Sequence, residues 1–576
     1  MKKNSKTLML ILFLLGIFMG AMDTGIASPA RTVIASTFNI STSASVWMIT
    51  VYTLAYAVSM PITGKLSDRY GKKKVYIICI AIFGIGSLLC GLSDVVGSYE
   101  FLIFARIIEA LGAGGIMPIA TAYIGESFPI EKRGTALGLV GAVYGIATVL
   151  GPSLGSGILD IFGSNKWGLL FLINVPISIA IVLIALFNKD ESIVKPKAKM
   201  DITGSVVLSL LILSLMYSIT NLNFANLLDS FKSKDVYPFL IAFLILIPIF
   251  IIVERKAVDP VLNLKFFKDK DIVLTLIVSF IVGCAMMSLI FIPQFGANVL
   301  RLNEGSGGYL VTWMAIFTGL ASPIGGKLID KFSAKFVLTV GFLTTIIGCL
   351  ILSLITAKTC DHISLYIGLI ALGLGMGFTM GTPLNYLIQA YVKKEEATTG
   401  QSTVSLIRSI GVAISPNLLV NFLSDAGKEL PNKLMKVLPP LNIPGINLAE
   451  GTGNMSTNMS HTFQNASVNN IVDVVKEFIS SMIHNMQPML QHELTGKLPP
   501  NMSVNTFINN FTNNYLNEID KSKSIIESTF QQTLNNGFAH LFLFVAVFAL
   551  VALVLTQFLS SKRLKALKHD KDKSQV

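Results

Sequence analysis

Charged residues are scarce in this chain. Asp, Glu, Lys and Arg together make up 14% of 576 residues, against roughly a quarter in a soluble domain. That deficit excludes a water-soluble protein. Cysteine is thinner still: Cys79, Cys90, Cys284, Cys349 and Cys360. All five lie in or at the ends of apolar runs. No CxxC and no metal-ligand spacing occurs, which argues against a zinc site and for ordinary apolar packing. The phosphate-cradling loop GxxxxGKS/T is missing, so ATP is not the fuel. HExxH and any Ser/His/Asp cluster are missing too, and with them a reason to read an enzyme. No soluble basic face interleaved with aromatics occurs, so the formal charge of +12 is no nucleic-acid footprint.

Long apolar runs are present in abundance, and hydrophobic residues make up 52% of the chain. A membrane-crossing helix needs about 20 mostly apolar residues, whereas a barrel strand needs about 10. Fourteen runs qualify as helices: 7–29, 44–64, 75–93, 100–122, 135–158, 167–187, 202–221, 237–253, 273–295, 307–326, 336–356, 363–387, 402–422 and 537–559. The first is longer than a signal-peptide core and is followed by further spans, so it reads as a retained helix. The expected fold is therefore all-α and polytopic, with fourteen transmembrane helices.

Orientation follows from lysine and arginine in the loops. With the N-terminus in the cytoplasm, inner segments hold 30 of them. The short outer loops hold Arg31, Lys166, Lys232, Lys234, Arg301 and Lys358. Both termini are expected inside, and the net charge is largely this topological signal plus attraction to anionic lipid.

A repeat runs through the sequence. GKLSDRYGKK at 64–73 is echoed by GKLIDKFSAK at 326–335, and Gly151-Pro152 by Ser415-Pro416, at nearly one offset. Spans 1–6 and 9–14 thus read as two six-helix pseudo-repeats, with spans 7 and 8 as central linker helices. The implied units are 1–187, a linker at 188–272, 273–423 with 537–559, an outer loop domain at 424–536, and a cytoplasmic tail at 560–576. In the outer loop, Val468, Ile471, Val472, Val475, Phe478, Ile479, Met482, Ile483 and Met486 recur at helical spacing. A helical hairpin is expected there, packed on itself or on the rim, or serving as a gate or partner surface. Triplets such as Asn454-Met455-Ser456 would matter only in a glycosylating host.

Within GKLSDRYGKKK, Gly64 permits close helix approach and Gly71 a tight turn. Asp68 stands among cations at the membrane face, where it can pair with Arg69 or with a helix N-terminus. Inside the membrane, Asp23 lies late in span 1. Arg106 and Glu109 share a face of span 4, and Arg408 lies in span 13 with no acid within a turn. Such residues are costly at depth and point to function. A carboxylate beside a fixed guanidinium can act as a proton switch or stand as a static pair. Arg408 could meet a carbonyl, an anion or an acid on another span.

These stretches resemble the major facilitator superfamily, and most closely its fourteen-span drug:proton antiporters. Gly64, Asp68, Arg69, Gly71, Lys72 and Lys73 match the family's signature loop, with Lys72 where arginine is usual. The resemblance implies a conformational latch, with Glu126 a candidate partner for Arg69. GAMDTGIASPA matches the span-1 acid motif at Asp23, although Ser28 interrupts the usual apolar run before Pro29. FARIIEALGAGG matches the span-4 motif at Arg106 and Gly112, with Glu109 standing where glutamine is common. Gly145, Gly151, Pro152 and Gly155 resemble the exporter motif of span 5. The implied activity is proton-coupled export of hydrophobic or cationic drugs by alternating access, with Asp23, Arg106 and Glu109 handling protons or substrate. The alternative is a dedicated exporter of a lipid or metabolite. Trp47, Tyr52, Tyr56, Met117, Tyr144 and Arg408 are candidate cavity residues. The implied partners are protons, a small amphiphilic or cationic substrate and membrane lipid. No cofactor and no metal are expected, only a proton gradient across a bacterial inner membrane. Oligomeric state is left open.

Overall fold

Inside a bilayer no water competes for backbone N–H and C=O groups, so an apolar run satisfies them by coiling. The computed structural model describes residues 3–27, 30–187, 200–302, 307–440, 468, 470–487, 490–491 and 503–560. Ser28 and Pro29, the 188–199 connection, the Asn454 triplet and residues 561–576 of the tail lie outside the described residues.

The spans fold as α1 Lys3–Ile26, α2 Trp47–Tyr70, α3 Lys72–Val96, α4 Tyr99–Ser127 and α5 Ile130–Phe162. They continue as α6 Leu169–Phe187, α7 Ile202–Thr220, α8 Tyr237–Lys256, α9 Lys270–Val299 and α10 Gly307–Lys331. The last four are α11 Ala334–Thr359, α12 His362–Tyr391, α13 Ala397–Val437 and α14 Lys523–Gln557. Thirteen of these helices are long and apolar enough to cross a membrane, and α2 is the exception. Its 24 residues reach about 36 Å, but Ser59, Thr63 and Ser67 lower its hydropathy. All three are buried, Ser59 within hydrogen-bonding reach of the Ala110 carbonyl of α4 and Ser67 of the Thr398 hydroxyl of α13. A helix enclosed by protein has less need of an apolar surface than one facing lipid.

Two seams join α1–α6 to α9–α14, and both rest on small residues. Along the first, Gly134, Gly138 and Gly141 of α5 pack directly on Ser322, Gly326 and Asp330 of α10. Along the second, Gly64 of α2 packs on Ser402 and the Thr398 carbonyl of α13. The linker helix α7 lies over this second seam. Leu208, Ile212 and Met216 of α7 cluster with Leu54, Ala57 and Met60 of α2 and Leu406 of α13.

Spans 13 and 14 extend well beyond the apolar runs that mark them in the sequence. α13 continues to Val437 and α14 begins at Lys523. These are overhangs of about 20 Å each at 1.5 Å per residue. Between them stand helices Ile471–Asn485 and Val504–Lys521. Val468, Ile471, Val472, Val475, Ile479 and Ile483 bury against Leu430 and Leu434 of the α13 extension and Leu438 just past its end. Ile519 and Ile526 join the same cluster, together with Phe530. The outer helices are thus built on the projecting ends of α13 and α14.

Candidate functional site

Span 4 places Arg106 and Glu109 three residues apart, and the fold brings Asp23 to them from α1. Arg106 Nη1 donates to Glu109 Oε2 at 2.6 Å and to Asp23 Oδ2 at 3.1 Å. All three side chains are buried. Asn174 Nδ2 donates to Asp23 Oδ1 at 3.0 Å and to Ser87 Oγ at 3.3 Å. Ser87 Oγ in turn donates to Glu109 Oε1, and Cys90 Sγ donates to Glu109 Oε2 at 3.3 Å. The guanidinium sits 4.0 Å from the Tyr52 ring centroid and 5.4 Å from that of Phe171. Every carboxylate oxygen therefore has a donor. Two carboxylates against one guanidinium leave one negative charge in excess, and a single proton makes the cluster neutral.

At the cytoplasmic face two carboxylates each cap a helix of the opposite bundle. Asp68 accepts from the N–H groups of Thr398 and Thr399 at 3.0 and 2.8 Å, and from the Thr399 hydroxyl at 2.8 Å. Asp330 accepts from the N–H groups of Gly134 and Thr135 at 2.7 and 2.8 Å, and from the Thr135 hydroxyl at 2.6 Å. Asp68 meets N–H groups in the first turn of α13, which have no carbonyl partner within the helix, and Asp330 meets those in the second turn of α5; near a helix start the positive end of the helix dipole favours an anion. The echo of 64–73 at 326–335 is thus a pair of like contacts, one per seam. Gly64 and Gly326 correspond as well. A Cβ on Gly64 would lie 2.1 Å from Ser402 Oγ, and one on Gly326 2.3 Å from the Gly134 carbonyl.

One expected pairing is replaced. Glu126 meets Lys72, at 3.0 Å, rather than Arg69, and Lys72 also lies 3.6 Å from Asp68. Arg69 pairs instead with Asp259 at 2.8 Å, and Lys65 pairs with the same carboxylate. Gly71 turns the chain between α2 and α3 at φ +96°, which only glycine adopts readily. Lys72 and Lys73 then open α3. The second bundle turns differently: Ser333 is extended and its hydroxyl accepts from Phe336 N–H.

The cavity candidates divide. Tyr52 is buried beside Arg106 and stacks on Tyr56 at 6.1 Å between centroids. Its hydroxyl has no hydrogen-bond partner among the described residues. Met117 and Arg408 meet at 3.6 Å, sulfur to Nη2, across the two bundles. Arg408 Nη1 donates to the Met380 carbonyl at 2.8 Å, where α12 breaks between Thr379 and Thr382. Of the options open in the sequence, a carbonyl is the one realised. Tyr144 packs with Ala21, Met22 and Ala147. Trp47 departs from expectation: it is 42% exposed and stacks on Tyr217 of α7, 5.9 Å between centroids. In span 5, Gly151 packs on the Met22 carbonyl, next to Asp23, and Gly25 of α1 packs on Pro152. Gly155 is buried, while Gly145 faces Thr318 of α10.

Sequence reasoning missed Asn174, Ser87 and Asp259. The first two are ordinary polar residues in apolar spans. Asp259 lies in a charged loop where an acid draws no notice. Among the described residues, no group of three His, Cys, Asp or Glu could hold a metal ion.

Residues 13–416 match the family description "Major Facilitator Superfamily". The chain is 38% identical to a Bacillus subtilis protein named uncharacterized MFS-type transporter YfiU, over 75% of this chain and 83% of that one. It is 32% identical to Multidrug resistance protein 3 of Bacillus subtilis, over 74% and 82%. It is 29% identical to riboflavin transporter RibZ of Clostridioides difficile, over 73% and 89%. In fold it is similar to a double-tryptophan mutant of XylE, with TM-score 0.57 at 12% identity, covering 98% of this chain and 99% of that one. The paired seams, the cytoplasmic carboxylates and these likenesses place the chain in the Major Facilitator Superfamily: it is a multi-pass transporter of the bacterial cytoplasmic membrane, working by alternating access, and not an enzyme.

Proposed function

We propose that this transporter exports amphiphilic, predominantly cationic compounds in exchange for protons. The observation that carries the reading is the Asp23–Arg106–Glu109 cluster, in which two buried carboxylates face one guanidinium. A carboxylate in excess at membrane depth is a natural proton carrier, because loading one proton removes the net charge. Asp23 and Glu109 are the carriers, and Arg106 keeps the charge against which they work. Tyr52 and Tyr56 offer stacked rings beside the cluster, a surface suited to aromatic and cationic ligands. Asp68, with Arg69, Gly71, Lys72, Lys73 and Glu126 around it, holds the cytoplasmic side shut in one end state. The span-5 stretch with Gly145, Gly151, Pro152 and Gly155 supports export by its likeness to the exporter motif and by its contact with the helix that bears Asp23. Two relatives named for multidrug resistance or multidrug transport support the substrate class.

Ethidium efflux from vesicles under an imposed pH gradient tests this. Wild type should extrude the dye only with the gradient, and Asp23→Asn or Glu109→Gln should abolish gradient dependence in protein shown to be inserted. Gradient-driven efflux in both variants would remove the cluster from the mechanism.

A second reading, a dedicated lipid or metabolite exporter, is favoured by the outer helices on α13 and α14 and by the relative named as a riboflavin transporter. A panel of dyes and antibiotics separates the two, since a specialist ignores most of it.

A further inference from the structure

The connection from linker helix α8 to α9 touches both sides of one seam. Asp259 pairs with Lys65 and Arg69 of α2. Four residues on, Asn263 Nδ2 donates to Glu396 Oε1 at 2.6 Å, and Glu396 immediately precedes α13. Between them, Val261 and Leu262 are buried in the apolar cluster of α2, α7 and α13. The Glu254 carboxylate at the end of α8 accepts from Leu262 N–H, and Asn263 Oδ1 caps the short turn Leu264–Phe267. The segment is therefore fixed in shape and seated on the same seam that Asp68 closes.

We propose that this segment is a strap of the cytoplasmic gate, with Asp259 as its positioning residue. Lys65 and Arg69 are four residues apart on one helix and repel each other. Asp259 stands against both, so neither is driven to compete with Thr398 and Thr399 for Asp68. The strap also ties α2 to the start of α13. Residues 259 and 263 span at most about 14 Å when fully extended, so opening the seam at this end beyond that reach breaks one of the two contacts. The seam between α5 and α10 has no such device among the described residues. Lys327 and Lys331 of α10 stand where Lys65 and Arg69 stand on α2, and no carboxylate lies within 4 Å of either among the described residues. The two linker helices thus make the gate asymmetric, reinforcing the Asp68 latch and leaving the Asp330 latch alone. The proposal rests on alternating access and not on the identity of the substrate.

The test is a distance distribution between spin labels at Lys74 and Glu395, both exposed, in the full chain in lipid nanodiscs. Cys360 is replaced by Ala and the four buried cysteines are kept. Asp259→Asn should raise the long-distance population about tenfold, the effect of losing a charge-assisted contact. Asp259→Glu should restore the short distance. Lys65→Gln, which breaks the strap from the other side and serves if the Asp259 variants fold poorly, should shift the distribution the same way. Lys327→Gln at the corresponding place should leave it unchanged. An unchanged distribution in Asp259→Asn and Lys65→Gln, or an equal shift in Lys327→Gln, would overturn the proposal. A failed export reading would show instead as absent dye efflux with the distance shift intact.

Discussion

Asp68 and Thr399 meet twice: the Thr399 N–H and its hydroxyl both donate to Asp68 Oδ2 at 2.8 Å. Asp330 and Thr135 meet in the same way at 2.8 and 2.6 Å. Each contact joins a carboxylate of one bundle to a helix start of the other, so it exists only while the cytoplasmic ends are together. Asn at either place keeps the shape but removes the charge and turns one acceptor into a donor facing an N–H. A hydrogen bond to a charged group contributes about 1.5–3 kcal/mol. Asp68→Asn should therefore raise amide exchange at Thr398 and Thr399 by about tenfold or more, read by mass spectrometry on the peptide covering 397–401. Asp330→Asn should do the same at Gly134 and Thr135. Unaltered protection in both variants would show that the carboxylates do not hold the gate.

The two seam glycines predict different outcomes for one substitution. In Gly64→Ala the new Cβ meets a side chain, Ser402 Oγ, whereas in Gly326→Ala it meets the main-chain carbonyl of Gly134. Overpacking of this kind destabilises by about 1–3 kcal/mol. Transport and thermal stability should fall in both. Adding Ser402→Gly should recover Gly64→Ala, because the obstacle can be trimmed. No side-chain change should recover Gly326→Ala.

The helical layout was legible because apolar runs of this length have one solution in lipid. The echo of Gly64 and Asp68 at Gly326 and Asp330 was legible because close packing and a buried carboxylate leave few residue types to choose from. Partner choice was not legible. Glu126 faces Lys72 and not Arg69 because Asp259, 190 residues further along the chain, reaches Arg69 first. Trp47 read as a cavity aromatic, yet linker helix α7 brings Tyr217 to its face. The overhangs of α13 and α14 carry too many polar residues to look like spans. What marks them is Leu430, Leu434 and Leu438 at four-residue spacing, which gains meaning only once the outer helices pack on it.

The buried charge cluster predicts that its arginine matters for assembly as well as for transport. Arg106→Ala leaves Asp23 and Glu109 buried with no cation. Stripping one member from a buried ion pair destabilises by about 3–5 kcal/mol. The variant should yield little folded protein by size-exclusion chromatography in detergent. Combining it with Asp23→Asn and Glu109→Gln removes both uncompensated charges, and folded yield should return while gradient-driven efflux does not. A well-folded Arg106→Ala single variant would mean that the carboxylates are neutral without their arginine.

Tyr515 gives the outer helices an alkaline limit. Its hydroxyl donates to the Pro439 carbonyl at 2.6 Å, and burial pushes its pKa up to about 12. In the unfolded chain a tyrosine ionises near pH 10. Below pH 10 both states carry the proton, and the contact contributes in full. Between about 10 and 12 the unfolded chain releases its proton while the folded one retains it, so stability falls by at most about 1.4 kcal/mol per pH unit. Tyr515→Phe loses the hydrogen bond, worth about 1 kcal/mol, and also loses this ionisation. Hydrogen exchange over 504–521 should therefore show the variant less protected than wild type at pH 8, with the difference shrinking or reversing by pH 11. A constant difference across that range would show that Tyr515 ionises equally easily in both states, and no difference at pH 8 would show that its hydroxyl is not held by Pro439.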